Sequence, residues 1–261
     1  MYSNKSPHSR GIPFDNSSNG FTAIINQDAI EEAKLTNPAF KTHLFDDFIT
    51  GTINSTLGWA QAVNATGSFT LPGVVINSPG VIAANVTTGA LQPQGSANFN
   101  LGTNNIQLGG GQLTFMWRIN IPVLATAAQD YNVQFGLGNL TAGEYTSGVY
   151  FRYNRATSAN WLIVSANAGT RTTTITTTPV TANTYYVLKA VVNATATSVE
   201  YFISTNSGAF VSVGTITTNI PTTPDIAPAL TMTNIAGTNN KQTLIDFFEL
   251  LQVFKTQRYI P

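Results

Sequence analysis

Near its C-terminal end the chain reads TLIDFFELLQVF, which sets Asp246 and Glu249 three residues apart. A pair of carboxylates is the minimum for glycoside hydrolysis, one to protonate the leaving oxygen and one to act as nucleophile or base. In a regular strand successive side chains alternate between faces, so a spacing of three turns these two acids away from each other. Asp130, Glu144, Glu200 and Asp225 each stand alone in the sequence. No catalytic residue is therefore expected, and the chain reads as a non-enzyme.

Other reactive side chains are equally sparse. His8 and His43 are the only histidines, so a Ser-His-Asp arrangement would need the leading segment to reach back to the rest of the chain. Cysteine is absent, which excludes disulfides, thiolate metal sites and thiol catalysis. Gly109 to Gly111 precede a strand pattern and lack the lysine and helix start of a phosphate-binding loop. Asp130-Tyr131-Asn132 echoes a calcium ligand pair, but calcium takes about six to eight oxygens and no second acid lies nearby, so this reads as a turn before YNVQFGLG. No metal or cofactor is expected. Sugar recognition without calcium asks only for an aromatic ring flanked by amides and hydroxyls. EYTSGVYFRYNRATSANW offers Tyr145, Tyr150, Arg152, Tyr153, Asn160 and Trp161 as candidate glycan contacts. Trp161 shares a strand face with Ile163, which suits a core position, and Trp59 and Trp117 read as core anchors.

These residues must be positioned by strands. QLTFMWRI puts Leu113, Phe115, Trp117 and Ile119 on one face and Thr114, Met116 and Arg118 on the other, the pattern of a half-buried strand. GVYFRYN, NWLIVSAN, TYYVLKAVVNA, SVEYFIS, FVSVGTI and TLIDFFELLQVF follow, separated by turn signals such as Asn167-Ala168-Gly169 and Asn206-Ser207-Gly208. Between about residues 51 and 110 the pattern is weaker and richer in glycine, which predicts shorter strands with loops. The fold class is all-β, two stacked antiparallel sheets.

Charged residues are 9% of the 261, far below the roughly 25% of ordinary soluble domains, while the apolar share of 43% is ordinary. Thr, Asn, Ser and Gly must then supply the surface. Twelve basic residues balance twelve acidic ones, so there is no electrostatic footprint for nucleic acid or an anionic membrane. Zero net charge also removes self-repulsion and favours association. No apolar run approaches the ~20 residues of a bilayer span. The first 30 residues lack the order of a signal peptide, so an extracellular destination would be reached by another route, such as release within a particle by lysis.

Charge also divides the chain, for residues 1 to 47 hold ten of the 24 charged side chains. Residues 1 to 20, with Pro7, Gly11, Pro13 and Gly20 among polar neighbours, cannot bury enough apolar surface to order themselves. Ile25, Ala29, Ile30 and Ala33 then recur at helical spacing, with Asp28, Glu31 and Glu32 toward the front and Lys34 toward the end. The spacing predicts one short helix over about 25–35, ended by Asn37-Pro38. Isolated helices below ~12 residues are not stable in water, so its apolar stripe needs a partner surface. Residues 1–45 therefore read as an extended arm for attachment and oligomerisation, with Ile12, Phe14, Phe21, Ile25, Ala29, Ile30 and Ala33 as its contacts. Residues 46–261 read as the sandwich.

Two stretches carry resemblances. GIPFDNSSNGFTAIINQDAIEEA resembles the connector of tailed-phage fibre and virion proteins, in which an Asn-rich turn precedes a QDAIEE-type helix; Ile25-Asn26 departs from the usual Asn-Val pair. DDFITG, GVYFRYN, NWLIVSANAGT, TANTYYVLKAVVNATATSVEYFI and TLIDFFELLQVF resemble concanavalin-A-like, or laminin-G-like, jelly rolls. Together they imply a non-enzymatic bacteriophage virion protein, a capsid decoration (cement) or head-fibre protein. It would be a homotrimer docked by its arm on a major capsid or tail protein, displayed on the virion surface after synthesis in the host cytoplasm. The alternative they imply is a tail-fibre lectin module for host attachment through surface glycans, and a third is a glycoside hydrolase of the same fold.

Overall fold

The computed structural model describes residues 14–15, 22–23, 40–48, 58–64, 66–72, 80–87, 96–102, 105–139 and 143–256. Phe14–Asp15 (β1) and Thr22–Ala23 (β2) pair antiparallel. The helix expected over 25–35 lies outside the described residues, as do Ile12, Phe21, Ile25, Ala29, Ile30 and Ala33.

From residue 41 onward the strands are Lys41–Asp46 (β3), Trp59–Asn64 (β4), Ser68–Thr70 (β5), Ile82–Val86 (β6), Ser96–Leu101 (β7), Gly111–Asn120 (β8), Tyr131–Gly138 (β9) and Gly148–Asn154 (β10). Asn160–Asn167 (β11), Thr170–Pro179 (β12), Tyr185–Val192 (β13), Val199–Thr205 (β14), Val211–Ile216 (β15), Ala227–Asn234 (β16) and Lys241–Phe254 (β17) complete them. They form two antiparallel sheets, the all-β sandwich expected. The seven-stranded sheet has the order β12-β11-β10-β9-β16-β7-β4. The eight-stranded sheet has the order β15-β14-β13-β8-β17-β6-β5, with β3 also paired to β17.

Alternation builds the core. On β8, Leu113, Phe115, Trp117 and Ile119 are fully buried while Thr114, Met116 and Arg118 face out. Trp59 stacks on Phe99 with centroids 4.2 Å apart, and Trp117 meets Phe248 at 4.6 Å. Both tryptophans are the core anchors that their strand patterns suggest, and cutting one to alanine would cost about 3–5 kcal/mol.

The leading segment's last described stretch, β3, belongs to the sandwich. Its residues 41–46 pair with Val253 to Phe248 of β17, so the boundary expected after residue 45 falls inside a strand of the sheet. Asp46 then accepts hydrogen bonds from the Trp59 indole at 2.8 Å and from the Phe48 amide at 2.8 Å. Phe48 is buried against Trp59 and Phe99.

Candidate functional site

The two outer faces of the sandwich hold the side chains that sequence singled out. On the seven-stranded sheet, β9 turns Asn132 and Gln134 outward and β10 turns Tyr150 and Arg152 outward, because Val133, Phe135, Phe151 and Tyr153 point into the core. Residues 143–147, which lead into β10, fold back over this face. Gln134 donates to the Gly143 carbonyl at 3.1 Å and accepts from the Tyr145 amide at 3.2 Å. Glu144 is thereby placed to accept from Arg152 Nη1 at 2.9 Å and from the Tyr150 hydroxyl at 3.0 Å, with Arg171 Nε of β12 at 3.5 Å. Arg152 Nε also donates to Asn132 Oδ1 at 2.9 Å.

A glycine floor makes this possible. The Tyr145 ring lies so close over Gly138 that a Cβ there would sit 2.3 Å from its Cδ2 atom. Tyr145 meets Tyr150 edge to face at 5.0 Å. Burial pushes the Tyr145 phenol far above its ordinary value. Tyr150 is raised likewise, by burial first and then by the charge of Glu144.

Of the six candidate glycan contacts, then, Tyr145, Tyr150 and Arg152 come together on this face. Tyr153 and Trp161 point the other way into the core, and Asn160 donates to the Thr176 carbonyl at 2.7 Å at the strand start. None of the four rings is an open platform, since each is buried. Sequence reasoning missed Glu144 and Arg171 as members of the cluster because they lie 27 positions apart and meet only through the sheet. It also missed a polar row farther along. Ser96 Oγ and Asn98 Oδ1 of β7 and Thr233 Oγ1 of β16 are buried without a hydrogen-bond partner among the described residues. The register places Ser96 beside Thr233 and Asn98 beside Thr231 on that same outer face.

The eight-stranded sheet differs. Its outer face carries a groove of about 570 Å³ lined by Asp47, Met116, Arg118, Phe210, Asp246 and Phe247 among others. A bulge between Ile245 and Phe247 shifts the phase of β17 there. The opposite-face placement expected for Asp246 and Glu249 is therefore overturned, and both turn outward. They still form no acid pair, because Asp246 is bound to Arg118 and Glu249 to His43 Nε2 at 2.9 Å. The Arg118 guanidinium also lies over the Tyr185 ring, 4.2 Å from its centroid. Asp130, the calcium echo, is buried at a turn where its carbonyl accepts from the Ile235 and Ala236 amides. Among the described residues no three of His, Cys, Asp and Glu gather as a metal-binding group.

This arrangement is similar to known folds in outline. The family model described as SO2946-like, C-terminal domain matches residues 77–246. The crystal structure of a protein of unknown function, SO2946 from Shewanella oneidensis MR-1, is similar with a TM-score of 0.63 and 14% identity, over 94% of this chain and 100% of that one. Endo-1,3-beta-glucanase from Streptomyces sioyaensis is similar with a TM-score of 0.57 and 12% identity, over 84% of this chain and 99% of that one. Peanut lectin gives a TM-score of 0.55 and 9% identity, over 83% and 99%. At such identities the likeness is one of fold. No curated protein matches the chain.

Proposed function

The chain belongs to the SO2946-like, C-terminal domain family, and we propose that it is a non-enzymatic structural protein of a phage particle surface. Its N-terminal arm docks on a capsid or tail protein, and its jelly roll projects outward as a decoration or head-fibre module. The observation that carries this reading is the junction. β3 is hydrogen-bonded along β17, the strand that also pairs with β8 and β6, and Asp46 and Phe48 lock its end to Trp59. Six register pairs loaded along the strand direction must break together, so an arm fixed this way transmits load into the middle of a sheet. Assembly as a homotrimer through the arm belongs to the same proposal. Deletion of residues 1–39, which spares β3, tests it. The shortened protein should keep the melting temperature of the full chain and lose binding to particles; undiminished binding would end the proposal.

A second reading is a glycan-binding module, favoured by the polar row on the seven-stranded sheet. Unpartnered buried oxygens cost stability, on the order of 1–3 kcal/mol each, unless something polar completes them. A polyhydroxylated ligand reaching Asn98 and Thr233 would do so. A glycan array probed with the full chain, with Asn98→Ala beside it, separates the readings: array signal lost in the variant supports this one, and a blank array removes it.

A further inference from the structure

The outer face of the eight-stranded sheet is ordered in rows that read alike from either side of β8. Strand registers put Phe202, Lys189, Met116, Glu249 and Phe45 in one line across β14, β13, β8, β17 and β3. Outward from Met116, each direction meets one charged residue and then one phenylalanine, and the two charges are opposite. The next row runs Glu200, Val191, Thr114, Leu251, His43. From Thr114, each direction meets an aliphatic side chain and then an ionisable one, an acid on one side and a histidine on the other. In the row beyond Met116 the other way, Val187 and Phe247 flank Arg118. All these side chains face away from the core, because Phe115, Trp117, Leu188, Ala190, Phe248 and Leu250 between them fill it.

We infer that this face packs on the same face of a second copy, around a two-fold axis lying in the interface along β8. That operation keeps the position along a strand and exchanges the two sides of β8. Lys189 then meets the second copy's Glu249, Phe202 meets Phe45, Val191 meets Leu251, Val187 meets Phe247 and Glu200 meets His43. Met116 meets itself. Arg118 faces its own copy too, with its charge already balanced by Asp246 of the same chain.

An isologous interface must be complementary to itself in this manner, whereas a glycan or an unrelated protein imposes no such left-to-right symmetry. The apolar content fits as well, since Phe45 is 51% exposed and Phe210 is 42% exposed at the two margins. Five strands at about 4.8 Å and seven residues at about 3.3 Å span roughly 24 Å by 23 Å. With side-chain relief this reaches the size class of about 800 Å² per partner found in stable interfaces. Zero net charge leaves little repulsion between copies. A two-fold face closes a pair and not a trimer, so assembly through the arm is a separate contact and this inference stands without it.

Sedimentation equilibrium of the full chain tests the idea, with an even multiple of the 27.8 kDa chain mass expected, twice it where the face alone associates and six times it where the arm trimerises as well. Lys189→Glu and Glu249→Lys should each weaken association at least tenfold, and the double exchange should restore it. The chain has no cysteine, so Met116→Cys gives a single thiol at the axis. Facing sheets stand about 10 Å apart, within reach of a short bis-maleimide. That reagent should link Met116→Cys into dimers and leave Ile175→Cys, exposed on β12, as single chains. A monomer or trimer mass at every concentration, single charge variants that associate like the parent, a double exchange that fails to recover, or equal crosslinking of the two thiols would overturn it.

Discussion

The two outer faces of this sandwich solve the problem of a nearly uncharged chain in opposite ways. On the seven-stranded sheet, polar side chains are covered and tied together: Glu144 serves Tyr150, Arg152 and Arg171 beneath a folded-back loop, and Asn132 and Gln134 are engaged in that network. On the eight-stranded sheet, apolar and charged side chains alternate in open rows and pair only locally, Arg118 with Asp246, Glu249 with His43, and Lys189 with the Phe202 and Phe210 rings. A covered network contributes to the stability of its own chain. An open, self-complementary face contributes little until something covers it, which is why the first reads as architecture and the second as an interface.

Alkaline pH should expose this contrast most strongly. Tyr145 and Tyr150 of the covered face, with Tyr131, Tyr153 and Tyr201 of the core, all have phenols raised by burial above their ordinary value. A raised folded value means that stability is complete below the unfolded value near pH 10 and is lost as pH rises past it. By pH 11 Tyr131, Tyr145 and Tyr150 each cost about 1.4 kcal/mol, so urea midpoints should fall steeply between pH 9.5 and about 11. Phenolate absorbance from these five rings should appear only with unfolding; their titration in the folded protein would contradict the burial.

Next in size is Gly138→Val. Its Cβ would strike the Tyr145 ring and lift the loop that carries Glu144, at a cost of about 3 kcal/mol in chemical denaturation. Glu144→Gln should cost about 2 kcal/mol, because Arg152 and Arg171 keep their charges in half-buried positions without the anion. The same change on the open face, Glu249→Gln, should move monomer stability by less than about 0.5 kcal/mol. Equal losses for the two glutamates would erase the distinction between the faces. Phe45→Ser should alter monomer stability least of all while weakening self-association, which calorimetric dilution would measure.

Legibility in the sequence followed the same division. β8 was readable because it alternates apolar and polar residues along a half-buried strand, and β10, β11, β13, β14 and β17 because runs rich in aromatic and β-branched residues lie between turn signals. β12, TRTTTITTTP, carries almost no hydrophobic signal and is held as a strand by β-branched threonines and its pairing to β11. β16, APALTMTN, hides for the opposite reason. It is covered on both faces between β9 and β7, and Pro228 within it argues against a central strand. The candidate site was half legible. Tyr145, Tyr150 and Arg152 were found from local composition, but Tyr153 and Trp161 in the same stretch face the core, and composition does not say which phase of a strand points inward.

By itself the sequence determined what depends on nearest neighbours along the chain. It set the all-β class, the core roles of Trp59 and Trp117, and the change in character between the leading segment and the rest. Tertiary structure alone decided where the sheet begins, at Lys41, because β3 is held as a strand only by its pairing with β17. It turned Asp246 and Glu249 to one face through a bulge that no spacing rule contains. It also aligned Lys189 and Glu249 on either side of Met116, since strand register is fixed by hydrogen bonds between segments that sequence separates.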